Sequence, residues 1–286
     1  MQTVKNIIIS LRPWHWIKNL LVFSVLLFSG NLFNPDLFLL NLAVFIIFCF
    51  ISSSIYLFND IVDFKSDRLH PLKRKRPIAS NLLSKKLAIT LGIILMFVFT
   101  GLSFYLDLNL GYIIISYIFL NILYSFLLKK FMILDVFALS IGFFLRVLAG
   151  GVVLEIFPSY WLILCVFFLS LFFGFSKRYH EIRENNKVKS KYRNKQFLQI
   201  AIYIFATVSM IIYTLYSISS RTTEIFGDIR LIISLPFVLF GIIRYIYISL
   251  FAGKVTDPVT LVYKDKYSAI NLGLWFLCII YLIYFY

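Results

Sequence analysis

The chain is built almost entirely from apolar runs about 20 residues long, separated by short polar breaks. That length matches one helical crossing of a bilayer, and a soluble core cannot enclose so many such runs. Nine spans are read from the pattern, at about residues 18–33, 37–58, 87–106, 111–128, 133–157, 160–176, 197–219, 231–251 and 267–286. Only 14% of residues are charged and 61% are hydrophobic, where soluble proteins carry about a quarter charged. Composition therefore excludes a disordered chain, a disulfide scaffold and an ordinary two-layer soluble domain. The three cysteines, Cys49, Cys165 and Cys278, sit inside apolar runs at unrelated spacings, as packing residues do. The expectation is an all-α polytopic membrane protein, one transmembrane domain over residues 1–286, with no cleaved signal peptide.

The net charge of +15, from 28 Lys and Arg against 13 acids, would suit a nucleic-acid partner. Its distribution argues otherwise. Alternating the loops between two sides places 24 of the 28 cations on one side, with Arg221 and Arg230 opposite and Arg146 and Arg244 inside spans. The positive-inside rule makes the basic side, with the N-terminus, cytoplasmic and puts the C-terminus outside. We therefore expect a multi-pass cell-membrane protein whose partner is the lipid bilayer, with no nucleic acid. Trp14 and Trp16, flanked by Arg12 and Lys18, read as interfacial anchors ahead of the first span.

The loop after the second span opens with NDIVDFKSD. If the span continues as a helix to Asp67, then Asn59, Asp60, Asp63 and Asp67 share an arc of about 100°, with Tyr56 one turn deeper. Clustered carboxylates repel unless a cation lies among them, and all-oxygen ligation suits Mg²⁺, whose remaining ligands are usually waters and substrate phosphates. Acids at this helix end also oppose both the helix dipole and the positive-inside bias, so a merely solvated helix end is the weaker reading. HPLKRKRP follows, where Pro71 and Pro77 hold Lys73, Arg74, Lys75 and Arg76 in a constrained turn. Beside an acidic cluster this run reads as a phosphate site, with the metal bridging a diphosphate and Lys and Arg neutralising the other oxygens.

Arg146 and Arg244 lie mid-span, where an arginine costs at least about 2.5 kcal/mol, so both are expected to face a cavity. Asp135 shares a helix face with Arg146 but lies eleven residues away, too far along the axis to pair with it. Gly142, Gly150 and Gly151 on the same span are read as close-packing positions. None of the three histidines, His15, His70 and His180, has zinc-ligand spacing, and no Ser-His-Asp or Cys-His pattern is legible.

Taken together, LRPWHWIKN, YLFNDIVDFKSDRLHPLKRKRPIAS, YSFLLKKFMILDVFALSIGFFLRVLAGG, FSKRYHEI and PFVLFGIIRYIY resemble the UbiA superfamily of intramembrane prenyltransferases, whose signature is NDxxDxxxD. They are most similar to its polyprenyl-phosphate phosphoribosyltransferase branch. The resemblance implies nine helices around a central cavity and a role in cell-wall biogenesis. It implies Mg²⁺-dependent transfer of 5-phosphoribosyl from phosphoribosyl diphosphate to a polyprenyl phosphate. Asn59 and Asp63, with Asp60 or Asp67, would hold the metal. Lys18, Tyr56, Lys73, Arg74, Arg76 and Lys129 are candidates for phosphate or ribose contacts, and Arg146, Lys177 and Arg244 for either substrate's phosphate. Aromatic prenyltransferases of the superfamily carry a second Asp-rich motif after the sixth span, whereas this loop reads KRYHEIRENNK. Two phosphorylated substrates require such additional cations. An aromatic or quinone-precursor prenyltransferase is the first alternative, and a lipid or ion transporter the second.

Overall fold

The computed structural model describes residues 2–184, 194–226, 228–252 and 264–285. Lys187, Lys189, Lys191 and Arg193 of the sixth loop, and Lys254, lie outside the described residues. Every regular element among the described residues is helical. Helix α1 (Gln2–Leu11) leads into a 3₁₀ segment (Pro13–Phe23) and the short α2 (Ser24–Phe28). Then come α3 (Pro35–Val62), α4 (Phe64–Leu69), α5 (Lys85–Leu106), α6 (Leu108–Phe126), α7 (Met132–Val153) and α8 (Tyr160–Glu184). The chain continues through α9 (Lys195–Ser217), α10 (Ser220–Phe226), α11 (Leu235–Ile246) and α12 (Lys266–Tyr284).

Among the described residues eight helices are long and apolar enough to cross a membrane, and they correspond to the second through ninth expected spans. Their starts are written in the sequence: Asn34, Ser84, Asp107, Asn194 and Asp265 each cap a helix through a side-chain oxygen that accepts a first-turn backbone N–H. In the most apolar stretches of α3 and α7, 56% and 50% of residues are buried, against 17% in α5 and in α12. The first two are thus the inner helices of the bundle and the last two its rim. Tyr284 on α12 accepts from the Leu32 N–H and donates to the Leu27 carbonyl, both at 2.9 Å, which joins the last helix to the first segment.

The first expected span departs from the sequence reading. Residues 18–33 are not one α-helix but the end of the 3₁₀ segment, α2 and a turn. At three residues per turn, positions three apart eclipse one another. Trp16, Asn19 and Val22 thereby face the core, where the Trp16 indole N–H donates to Ser53 Oγ and the Asn19 amide donates to Cys49 Sγ and Ser52 Oγ. Trp14 and Leu20 on the next stripe are exposed. These tertiary bonds give a physical reason for the tighter helix: α-helical spacing would swing Asn19 and Val22 off the stripe that Trp16 starts.

Close packing requires the glycine of α7 that meets this segment. A Cβ on Gly150 would lie 2.0 Å from the Val22 carbonyl oxygen, a backbone atom with nowhere to go, whereas one on Gly101 would meet nothing within 4 Å. Gly150→Ala should destabilise the purified protein by about 1–3 kcal/mol, as overpacked cores do, while Gly101→Ala is neutral or stabilising by up to about 1 kcal/mol. Thermal unfolding of the two variants side by side checks the contrast.

Candidate active site

A cavity of about 420 Å³ opens between the 3₁₀ segment, α3, α6, α7 and α8. Each wall presents one stripe of residues. From the 3₁₀ segment and the residue before it come Arg12, His15, Lys18 and Leu21, at the three-residue spacing that aligns them on one face. From α3 come Ser52, Ile55, Tyr56 and Asn59, and from α6 come Tyr117, Leu120, Asn121 and Tyr124, both sets at α-helical spacing. Arg146 enters from α7, and Lys177 and Arg178 from α8. Among the described residues the lining thus holds five Lys and Arg side chains and no carboxylate. We call the end of the bundle that carries Asn59 and Lys177 the basic end.

Of the residues expected to bind substrate or metal, Lys18, Tyr56, Asn59, Arg146 and Lys177 line the cavity. The acidic cluster is divided. Asp60 and Asp67 are each 2% exposed and face cations rather than the cavity: Asp60 accepts from Arg12 and, at 3.0 Å, from Arg76, whose Nη1 also donates to Asp67 at 2.7 Å. The reason is electrostatic, since a carboxylate withdrawn from water needs a counter-charge, and two guanidiniums supply it. Asp63 sits in a short break between α3 and α4, with Lys129 Nζ 2.9 Å from its Oδ1. Asn59, one turn before it, accepts from the Ser125 hydroxyl. Of the four expected metal ligands, Asp60 and Asp67 thus face guanidiniums, and among the described residues no group of three or more His, Cys, Asp or Glu side chains is arranged to hold a metal ion. Asn59 lines the cavity and Asp63 follows it one turn on, outside the lining, so hard amide and carboxylate oxygens lie one turn apart at the basic end of the bundle. That donor set fits Mg²⁺, which commonly takes one or two carboxylates and completes its shell from water and phosphate.

The remaining expected contacts lie off the lining. Lys73 and Arg74 are in an exposed 3₁₀ turn (Lys73–Lys75), where Lys73 is within electrostatic reach of Asp67, Glu181 and Asp63. Arg244 does not face the cavity, and this corrects its expected position. It forms a two-pronged ion pair with Asp265, Nη2 to Oδ1 at 2.7 Å and Nε to Oδ2 at 3.1 Å, tying the end of α11 to the start of α12.

Several lining residues were not singled out as site residues in the sequence. Arg12 has a left-handed backbone (φ 55°) before Pro13, a strained position for a non-glycine residue, and its guanidinium bonds Asp60 and lies 4.9 Å above the Tyr56 ring. Arg178 is gripped by Asp135 at 3.1 Å, Glu181 at 2.6 Å and the Tyr124 hydroxyl at 3.3 Å, so Asp135 answers Arg178 rather than its helix-mate Arg146. Tyr117, Asn121, Tyr124 and Ser125 form a polar stripe on α6 at spacings of four, three and one. That stripe is a signal in the sequence, masked by the apolar average of the span.

Residues 20–256 match the model of the UbiA prenyltransferase family. The chain is 32% identical to decaprenyl-phosphate phosphoribosyltransferase of Mycolicibacterium smegmatis, covering 95% of this chain and 90% of that protein. It is 34% identical to the protein of the same name from Corynebacterium glutamicum, covering 96% and 86%. A UbiA homolog from Archaeoglobus fulgidus bound to DMAPP and Mg²⁺ superposes with a TM-score of 0.73 at 16% identity, covering 97% of this chain and 99% of that one. At that identity the likeness establishes the fold.

The Arg244–Asp265 pair has a pH signature. Its guanidinium bonds hold the Asp265 carboxyl well below the usual carboxylate range, and the Ser268 hydroxyl and N–H add to this. A carboxyl depressed on folding stabilises fully above its unfolded value of about 3.9 and loses that contribution as pH falls toward the folded value. Asp265→Asn should therefore cost about 1.5–3 kcal/mol at pH 7, with the gap to the unaltered protein narrowing below about pH 4. Thermal unfolding across that range reads the difference.

Proposed function

The chain belongs to the UbiA prenyltransferase family, and from that premise we propose that it transfers 5-phosphoribosyl from phosphoribosyl diphosphate to a polyprenyl phosphate. The observation that carries this reading is the lining itself, which among the described residues holds Arg12, Lys18, Arg146, Lys177 and Arg178 and no carboxylate. Such a surface receives several anions. A prenyl diphosphate with a neutral aromatic acceptor brings one phosphorylated group, whereas a sugar donor bearing a diphosphate and a 5-phosphate, with a lipid phosphate acceptor, brings three. The full-length similarity to proteins named decaprenyl-phosphate phosphoribosyltransferase supports the same choice.

In this mechanism Asn59 and Asp63 would hold Mg²⁺, which when bound supplies charge neutralisation to the leaving diphosphate. Lys129, already beside Asp63, is placed to meet diphosphate oxygens at the same end. The bond between ribose C1 and the diphosphate oxygen breaks as positive charge develops on the ribosyl ring. An oxygen of the lipid phosphate then bonds to C1. That oxygen is anionic before reaction, so the step needs no general base. Arg12 and Arg76 neutralise Asp60 and Asp67 and so fix the end of α3, from which Asn59 and Asp63 project. By the positive-inside rule the basic end faces the cytoplasm, where a soluble sugar diphosphate is available. The polyprenyl tail leaves between helices into the bilayer, because hydrocarbon that long cannot be sheltered in about 420 Å³.

Purified protein given labelled phosphoribosyl diphosphate, a polyprenyl phosphate and Mg²⁺ should release diphosphate only when both substrates are present. Transfer from a prenyl diphosphate to an aromatic acid, with phosphoribosyl diphosphate ignored, would overturn the donor assignment. Asp63→Ala should lower turnover by about 10²-fold or more while the protein stays folded and membrane-inserted, since a metal carboxylate contributes several kcal/mol to leaving-group stabilisation. Near-native turnover of that variant at limiting Mg²⁺ would remove Asp63 from the metal site.

A further inference from the structure

The cation turn between Pro71 and Pro77 is folded around one residue. Every backbone N–H from Leu72 to Arg76 is bonded inside the turn, and three of the five bond His70. Its ring Nδ1 accepts from the Leu72 N–H at 3.2 Å and the Lys73 N–H at 3.3 Å, and its carbonyl accepts from the Arg74 N–H at 3.1 Å. The Lys75 N–H then donates to the Leu72 carbonyl at 3.3 Å and the Arg76 N–H to the Lys73 carbonyl at 3.0 Å, which closes the 3₁₀ turn. His70 is itself fixed through its own N–H, which donates to the Asp67 carbonyl at 3.1 Å. A side chain that accepts from backbone N–H groups two and three residues on is the habit of Asn and Asp, and here an imidazole takes that part. A ring nitrogen that accepts carries no proton, so the ring is neutral with its hydrogen on Nε2.

The turn needs such a template. Lys73, Arg74, Lys75 and Arg76 are consecutive cations whose repulsion favours a straighter chain, and Pro71 and Pro77 keep the segment out of a regular helix. A single 3₁₀ turn has poor hydrogen-bond geometry and contributes little by itself. Its far end is anchored by Arg76, whose guanidinium reaches Asp60 at 3.0 Å and Asp67 at 2.7 Å. Between that anchor and His70, Lys73 comes within electrostatic reach of Asp63 and of Glu181 on α8. Straightened, the three residues from His70 to Lys73 would span about 10 Å, enough to carry the ammonium out of that reach. The place of Lys73 beside the expected metal carboxylate therefore depends on the imidazole three residues before it.

We propose that His70 is a positioning residue of the transfer reaction: its neutral ring folds the turn that presents Lys73 to the phosphate groups of the sugar donor beside Asp63. The step from turn to donor rests on the proposed function, whereas the folding of the turn rests on the hydrogen bonds of His70 alone. His70 itself touches no substrate. Its influence passes through the Leu72 and Lys73 N–H groups, so the acceptor must sit where Nδ1 does. Asparagine meets that condition, because its Oδ1 is as many bonds from Cα as the Nδ1 of histidine. Glutamine places its amide nearer the position of Nε2 and does not.

Steady-state kinetics and amide hydrogen exchange on the full-length protein in detergent test this. His70→Ala should raise the KM for phosphoribosyl diphosphate about 10-fold or more, with kcat and the KM for the polyprenyl phosphate changed by less than about threefold, since a contact made equally before and during reaction contributes to binding alone. His70→Asn should bring the donor KM back to within about threefold of the unaltered protein, and His70→Gln should not. Adding His70→Ala to Lys73→Met should cost less than about twofold beyond Lys73→Met alone, as for two residues that act through one contact. The peptide holding Leu72 and Lys73 should exchange faster in His70→Ala and His70→Gln, and at the unaltered rate in His70→Asn. An unchanged donor KM in His70→Ala, rescue by His70→Gln rather than His70→Asn, or additive losses in the double variant overturns the proposal. If the unaltered protein ignores phosphoribosyl diphosphate, the proposed transfer fails and the role of His70 in it falls too. Exchange then decides the turn by itself, and unchanged exchange in His70→Ala refutes the template.

Discussion

Charge carried into an apolar helical bundle must be answered, and most of the site follows from how that is done. Asp60 and Asp67 are almost fully buried, and both are reached by Arg76, with Arg12 also on Asp60. Removing one member of such a network leaves its partner unanswered in a low-dielectric setting, at a cost of about 3–5 kcal/mol. The network therefore ties together three separate pieces of chain: the residue before the 3₁₀ segment, the end of α3 with α4, and the basic turn after it. Arg12 is held in a left-handed backbone conformation at the same junction, a local cost that its bond to Asp60 offsets.

Two elements act as rails for the cavity. The 3₁₀ segment divides its residues by threes, so that Trp16, Asn19 and Val22 pack inward while His15, Lys18 and Leu21 face the cavity. Helix α6 does the complementary work from across the cavity. Its polar stripe bonds Arg146 through Tyr117, Arg178 through Tyr124 and Asn59 through Ser125, which spaces two guanidiniums and an amide from three helices along one axis. Groups held by an element of regular geometry reorganise little when charge develops on a substrate, which is the condition for electrostatic catalysis.

The second site segment, at the end of α8, shows how the sign of a lining is set by pairing as much as by composition. KRYHEIRENNK contains acids, yet Glu181 is spent on Arg178 together with Asp135. The guanidinium still lines the cavity while its charge is balanced behind. Arg146 reverses that arrangement, with neutral groups behind it and the cavity in front.

The sequence by itself determined the membrane character, eight of the nine expected spans and the position of the acid-rich helix end. Apolar runs of bilayer length, capping residues such as Asn34 and Asp107, and the NDIVDFKSD string are local features, each legible without knowing what lies across the bundle. Arg146 was readable as a cavity residue for the same reason: a charged group inside an apolar run has few places to face. Only the tertiary structure decided which charges neutralise one another. Asp60 and Asp67 share a helix end with Asp63 in sequence, but Arg12 lies 48 residues from Asp60 along the chain, and Arg244 meets Asp265 rather than the cavity. The 3₁₀ geometry of residues 13–23 is equally non-local, because a tighter helix is stabilised there by bonds to Cys49, Ser52 and Ser53 and by the space that Gly150 leaves beside Val22. Spacing along one helix follows from the chain, whereas the pairing of charges between helices depends on distances that only packing sets.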